Sequence, residues 1–203
     1  MSERLYFYPL WIRVWHWINA LMFIVLIITG LSMQYSSPDY PFIRFDRAVS
    51  WHNIGGLTVS GIYILFVIFN RFSFNRKYYR LKRKGFIQRL LTQFKFYSFG
   101  IFKGENPPFP ISKKRKFNPL QKFSYLVVMY ILMPLLIITG LGLLFPEIII
   151  SNVFGFSGIH LTSLLHIISG FLLSIFMVVH IYFCTIGTTP VSNFKGMFTG
   201  WHE

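Results

Sequence analysis

Six histidines occur in the chain of 203 residues, and four of them, His16, His52, His166 and His180, fall inside or at the mouths of long apolar runs. An imidazole is costly in hydrocarbon, so ionisable groups there mark function by default. Two kinds of chemistry suit them: ligation of a metal ion by a ring nitrogen, or relay of protons. His166 and His180 share one run, "LLHIISGFLLSIFMVVHIYFC" (164–184). Fourteen residues of α-helix advance about 21 Å and end about 40° short of four full turns, so both rings project from nearly one face at two depths. Four residues after each histidine, on the same face, stands a small residue: Ala20, Gly56, Gly170 and Cys184. Small residues let a partner come close to a helix backbone.

The elements that must position these rings are membrane spans. The chain is 54% hydrophobic and only 13% charged, against about 25% charged in an ordinary soluble domain. A hydrocarbon core of about 30 Å needs about 20 apolar residues as helix. The stretches 10–33, 51–72, 123–145 and 161–187 qualify, and each must be helical because backbone groups cannot stay unpaired in lipid. The expectation is a single all-α domain over 1–203, a transmembrane four-helix bundle with a long basic cytoplasmic loop over 73–122. The first stretch does not read as a signal peptide, since it is long, flanked by bulky aromatics and followed by no small-residue cleavage pattern.

Charge sets the direction of the spans. Residues 71–122 hold 15 of the 20 Lys and Arg, and Arg4, Arg13 and Lys195 fall on the same side. The opposite loops hold only Arg44 and Arg47. The bias places both termini in the cytoplasm. The formal charge of +14 is then met by the anionic inner leaflet and calls for no nucleic acid. Within the basic loop, 86–102 is either an amphipathic helix along the interface or a solvated loop, and "ENPPFP" (105–110) is a turn that ends it. The single cysteine, Cys184, excludes a disulfide framework, a CxxC zinc site and a CxxCH haem attachment.

With that direction the histidines pair by depth. His16 begins an outward span and is inner; His52 begins an inward span and is outer; His166 is outer and His180 inner. Two stacked pairs, His52 with His166 and His16 with His180, are what two six-coordinate b haems require, each iron taking one imidazole above and one below. Zinc is disfavoured, because the pairs are too far apart to share an ion and neither is joined by a carboxylate or thiolate. Taken singly, each histidine could be a hydrogen-bonded core or interfacial residue, the favoured reading for His16 between Trp15 and Trp17, and His180 alone would suggest a proton relay. A weak repeat runs through the chain: "LIITGL" occurs at 26–31 and 136–141, and the second and fourth spans both open with His-x-x-x-Gly.

Through "RVWHWINALMFIVLIITG" (13–30), "WHNIGG" (51–56), "KFNPLQK" (116–122) and the fourteen-residue histidine spacing of the fourth span, the chain resembles the dihaem cytochrome b subunits of membrane-bound formate dehydrogenases, nickel–iron hydrogenases and thiosulfate-type reductases. The tail "GTTPVSNFKGMFTGWHE" (187–203) is most similar to the thiosulfate-reductase-like branch. The resemblance implies electron transfer across a bacterial inner membrane between a periplasmic-side redox subunit (an iron–sulfur or c-type cytochrome protein) and a quinone, with menaquinone expected. It places the quinone beside the inner haem, near Asn118 and Gln121. The competing role for Asn118 is a helix cap ahead of Pro119. Arg13 could reach a propionate of the inner haem or merely fix topology. Arg44 and Arg47 could meet the outer haem, and His160, expected to ligate nothing, could hydrogen-bond at the outer surface facing a partner. No iron–sulfur cysteine set, nucleotide loop or molybdenum-binding feature is visible in the sequence, so substrate chemistry is expected in a partner. Two other readings stay open: a stand-alone dihaem quinone oxidoreductase, and a haem-free proton-coupled transporter or membrane anchor.

Overall fold

The computed structural model describes residues 4–37, 40, 42–81, 83–187 and 189–202. Lys82 of the basic segment, and Thr188 and Glu203 of the tail, lie outside them. Among the described residues, four helices are long and apolar enough to cross a membrane: α1 (Leu10–Tyr35), α2 (Phe45–Phe72), α4 (Pro119–Leu144) and α5 (Gly158–Cys184). At 26 to 28 residues each, they measure about 40 Å, longer than the roughly 30 Å of hydrocarbon they span. That surplus explains why α2 begins at Phe45, six residues before its apolar run, with Asp46 in its first turn. A negative charge is favourable at that end of a helix dipole.

Two antiparallel hairpins, α1–α2 and α4–α5, make the bundle. At one end lie both termini and the basic segment. There β1 (Leu5–Tyr6) pairs with β4 (Trp201–His202), and a short helix, α6 (Ser192–Thr199), precedes the pairing. Gly200 closes α6 at φ +91°, and a Cβ on it would meet Tyr6 Cε2 at 2.6 Å and Tyr8 O at 2.9 Å, so only glycine fits. At the far end, β2 (Asn152–Val153) and β3 (Phe156–Ser157) form a small hairpin ahead of α5.

The basic segment is more ordered than a loop. It holds a 3₁₀ turn (Phe74–Tyr79) and the helix α3 (Phe86–Lys95), which runs on through a π-helical stretch (Phe96–Gly100) into a 3₁₀ turn (Ile101–Lys103). Ile87, Leu91 and Phe94 form an exposed apolar face on α3, so of the two expectations for this stretch the amphipathic helix holds.

The core lies between the two depths of histidine. Val59, Phe66, Val128, Met129, Met133 and Leu173 are buried together, and Trp15 stacks on Phe66 with centroids 4.4 Å apart. Leu173 is seven residues from both His166 and His180, on the same face of α5, and only 1% exposed. The outward faces are apolar and exposed, as at Leu21, Ile64, Ile131 and Phe171, which is the surface that acyl chains cover.

In α4 the helix passes through a π-turn at Val128–Leu132 just before Pro134. Met133 N–H donates to Val128 O rather than to Met129 O, and Pro134 has no N–H to offer. Met129 O is therefore left without an intrahelical donor, and the Tyr63 hydroxyl of α2 donates to it at 2.8 Å.

Candidate functional site: two imidazole pairs

The structure brings the four histidines together in the pairs that depth alone predicts. His52 and His166 have ring centroids 6.2 Å apart, as do His16 and His180. All four rings are half-buried. The spacing is a test of fit. Two metal–nitrogen bonds of about 2 Å, with about 1 Å from each nitrogen to its ring centre, separate two axial imidazoles by about 6 Å. Direct packing of aromatic rings allows the same range, so the donor set matters too. Among the described residues no three His, Cys, Asp or Glu side chains gather into a group that could hold a metal ion. Each pair thus offers two nitrogen donors, the set a b haem uses.

At the far end, each ring is held from within its own hairpin. Thr29 Oγ1 of α1 lies 3.0 Å from His52 Nδ1 of α2. Thr139 Oγ1 of α4 lies 3.1 Å from His166 Nδ1 of α5. The next residue in each case is a glycine facing the ring: a Cβ on Gly30 would stand 3.5 Å from His52 Cε1, and one on Gly140 3.0 Å from His166 Cε1. These four residues carry no role in the sequence reading, although the doubled "ITG" of the repeat was their signal.

The pair at the termini end is surrounded differently. His16 Nδ1 is buried and has no hydrogen-bond partner. His180 Nε2 is 3.7 Å from Cys184 Sγ, and its ring stacks on Phe176 at 5.8 Å and meets Tyr125 edge-on at 6.1 Å. Of the small residues four beyond each histidine, Gly56 would meet nothing within 4 Å as alanine, and Gly170 only Leu136 Cδ1 at 3.9 Å. Close packing of helix on helix therefore does not account for glycine at these two places.

The other candidates are placed as follows. Asn118 caps α4 in a reciprocal box: Gln121 N–H donates to Asn118 Oδ1 at 2.9 Å, and Asn118 N–H donates to Gln121 Oε1 at 3.2 Å. Asn118 Nδ2 also donates to the Tyr97 hydroxyl at 2.7 Å. The capping role holds, and both side chains sit at the end of the bundle that carries His16 and His180. Arg13 donates through Nη1 to Phe198 O of α6, while its buried Nε has no partner. Arg44 pairs with Asp46 at 3.0 Å in the open, a weak contact at that exposure. His160 is exposed in the first turn of α5.

Lys116, beside this end, is a feature that charge counting merged into the basic loop. It is 4% exposed. Its Nζ donates to Phe7 O at 2.8 Å and Asn75 Oδ1 at 3.1 Å, with the Tyr8 ring 4.6 Å away. Burial lowers its pKa from 10.5 to about 7 and raises that of Tyr8 to about 12, since each charged form loses hydration.

Comparison with known proteins gives the family of the chain. The chain is 37% identical over 203 residues, its whole length and 76% of the other protein, to "Putative cytochrome YdhU" of Escherichia coli (strain K12). It is 29% identical over 109 residues, 47% of this chain and 54% of the other, to "Putative protein-methionine-sulfoxide reductase subunit YedZ1" of Azospira oryzae. No solved structure gives a significant match. The prokaryotic cytochrome b561 family matches residues 7–200, nearly all of the chain and every residue of both imidazole pairs, and the chain belongs to that family of haem-binding membrane cytochromes.

Proposed function

We propose that the chain is a dihaem b-type cytochrome subunit that passes electrons across a bacterial inner membrane between a redox partner and the quinone pool. The observation that carries this is the pair of matching 6.2 Å imidazole separations at two depths of one bundle. His52 and His166 would ligate the outer haem, and His16 and His180 the inner one. When bound, the two haems supply reversible one-electron chemistry in series.

The chain's own residues hold and insulate that path. The Val59, Met133 and Leu173 layer keeps water out between the two depths. Gly56, Gly170, Ala20 and Cys184 leave the faces beside the rings low. Asn118 and Gln121 stand at the inner end, where a quinone headgroup needs hydrogen-bonding groups, and Arg13 is the cation nearest His16 in sequence. With the basic segment and both termini in the cytoplasm, the partner docks outside, near Arg44, Arg47 and His160. That a relative is named as a reductase subunit supports a role inside a complex rather than a stand-alone enzyme. The partner would be an iron–sulfur or c-type cytochrome protein, and menaquinone the pool.

A pyridine haemochrome assay of the purified protein tests the core of this. Two b haems per chain are expected, with one remaining after His166→Ala and one after His16→Ala. A chain that purifies folded without haem would overturn the reading. Loss of both haems from each single variant would overturn the pairing.

A further inference from the structure

The two threonines of the repeat treat one pair of histidines differently from the other. The Thr29 hydroxyl has one proton, and its oxygen lies 2.7 Å from Val25 O and 3.2 Å from Leu26 O. Thr139 repeats this with Leu135 O at 2.7 Å and Leu136 O at 3.1 Å. A backbone carbonyl only accepts, so each hydroxyl proton is committed to its own helix. The contact to Nδ1 then has one possible polarity: imidazole N–H donates and the threonine oxygen accepts. Nδ1 carries the proton, and Nε2 presents its lone pair. Both threonines are buried, at 3% and 5% exposure, so water does not compete for the contact. A Cβ at Gly140 would press on His166 Cε1 at 3.0 Å, so glycine there lets the ring approach, while one at Gly30 would make ordinary contact with His52 Cε1 at 3.5 Å.

We propose that Thr29 and Thr139 are positioning residues that lock His52 and His166 in the Nδ1–H tautomer and hold down the reduction potential of the haem at that end. The inference rests on the dihaem reading. An imidazole that donates from its distal nitrogen is a more basic ligand, and a more basic axial pair favours ferric over ferrous iron. At the termini end, His16 Nδ1 has no hydrogen-bond partner, and the polar contact of His180 is made through Nε2, to Cys184 Sγ at 3.7 Å. The two haems would thus differ in potential through the non-ligating nitrogens of their histidines.

The test is a redox titration of the purified protein, followed in the haem absorption bands, for Thr29→Val, Thr139→Val and the corresponding serine variants. Haem content is measured first. Two haems per chain with one midpoint raised in each valine variant, the other midpoint unmoved, and the wild-type value restored by serine is the expected result. Selective loss of that one haem in the valine variants, recovered by serine, supports the same role. Both haems bound with neither midpoint moved, or both moved alike, overturns it. Wild-type protein without haem would instead overturn the function reading and leave the hydrogen bonds as structural.

Discussion

Lys116 shows how much one residue's surroundings can hide from composition. Counted by type it is one of 15 cations in a basic stretch; in the structure it is a buried pin between the N-terminal arm and the 3₁₀ turn after α2. Its folded pKa of about 7 lies below the ordinary 10.5. Between those values the unfolded chain binds a proton that the folded chain does not. Stability therefore rises with pH across that window, and the cost of burying the ammonium is fully felt below it. The thermal midpoint of the wild type in detergent should gain on that of Lys116→Met as pH is raised from 7 to 9. A constant gap between the two would show that the amine stays charged in the fold. The histidines were legible in the sequence because they are rare in apolar text. Lys116 was not, because a lysine among lysines gives no local signal and its burial comes from Phe7 and Asn75, far away in the chain. Thr29 and Thr139 lay between these cases: the repeat was visible, but only the packing of α1 on α2 and of α4 on α5 shows which ring each threonine meets.

Helix boundaries and interruptions belong to the element scale. Hydropathy located all four spans but placed the start of α2 at 51 rather than Phe45, and of α4 at 123 rather than Pro119. The added turns bring in Asp46, Arg47 and Ser50 in α2 and Gln121 and Lys122 in α4, and hydropathy sees only the part in hydrocarbon. The capping box at Asn118 and Gln121, followed by Pro119, is a stronger signal of where α4 begins. The π-turn was not readable, since it depends on a partner in another helix. Pro134 by itself calls for a disturbance of α4; the choice of a π-turn leaves one particular carbonyl, Met129 O, for one particular hydroxyl, Tyr63. Interhelical hydrogen bonds in membranes average about 0.6 kcal/mol, because the separated helices find other partners. Met129 O has no such substitute: it is buried, and its intrahelical donors are spent or missing. Tyr63→Phe should cost more, about 1–3 kcal/mol, the penalty for a buried acceptor left unsatisfied. Denaturant or thermal unfolding in detergent measures it, and a loss well under the average would mean that α4 relaxes to satisfy the carbonyl itself.

At the scale of the whole molecule, one end collects nearly everything that is charged or anchored. Both termini meet there in the β1–β4 pairing, Arg13 and Trp17 hold the carbonyls of α6, and α3 lies alongside with its exposed apolar face. The far end carries the described residues of the α1–α2 connection and the Asn152–Ser157 hairpin, with exposed aromatics at Tyr40, Phe42 and Phe154. On the proposed dihaem reading this polarity fixes which haem lies at which end, because the Thr-held histidine pair is at the far end and the Asn118–Gln121 box at the other. The number of spans fixes only that both termini share a side; which side follows from the excess of Lys and Arg. In a Cys184→Ser background, single cysteines at the exposed positions Ser112 and Ser151 report the two ends separately. A membrane-impermeant maleimide added to intact spheroplasts should label Ser151→Cys at once and Ser112→Cys only after the membrane is opened. Labelling in the opposite order would turn the bundle over. The His52–His166 pair would then lie at the cytoplasmic face, the 15 cations of residues 71–122 would face away from the anionic inner leaflet, and the proposed partner would dock from within the cell.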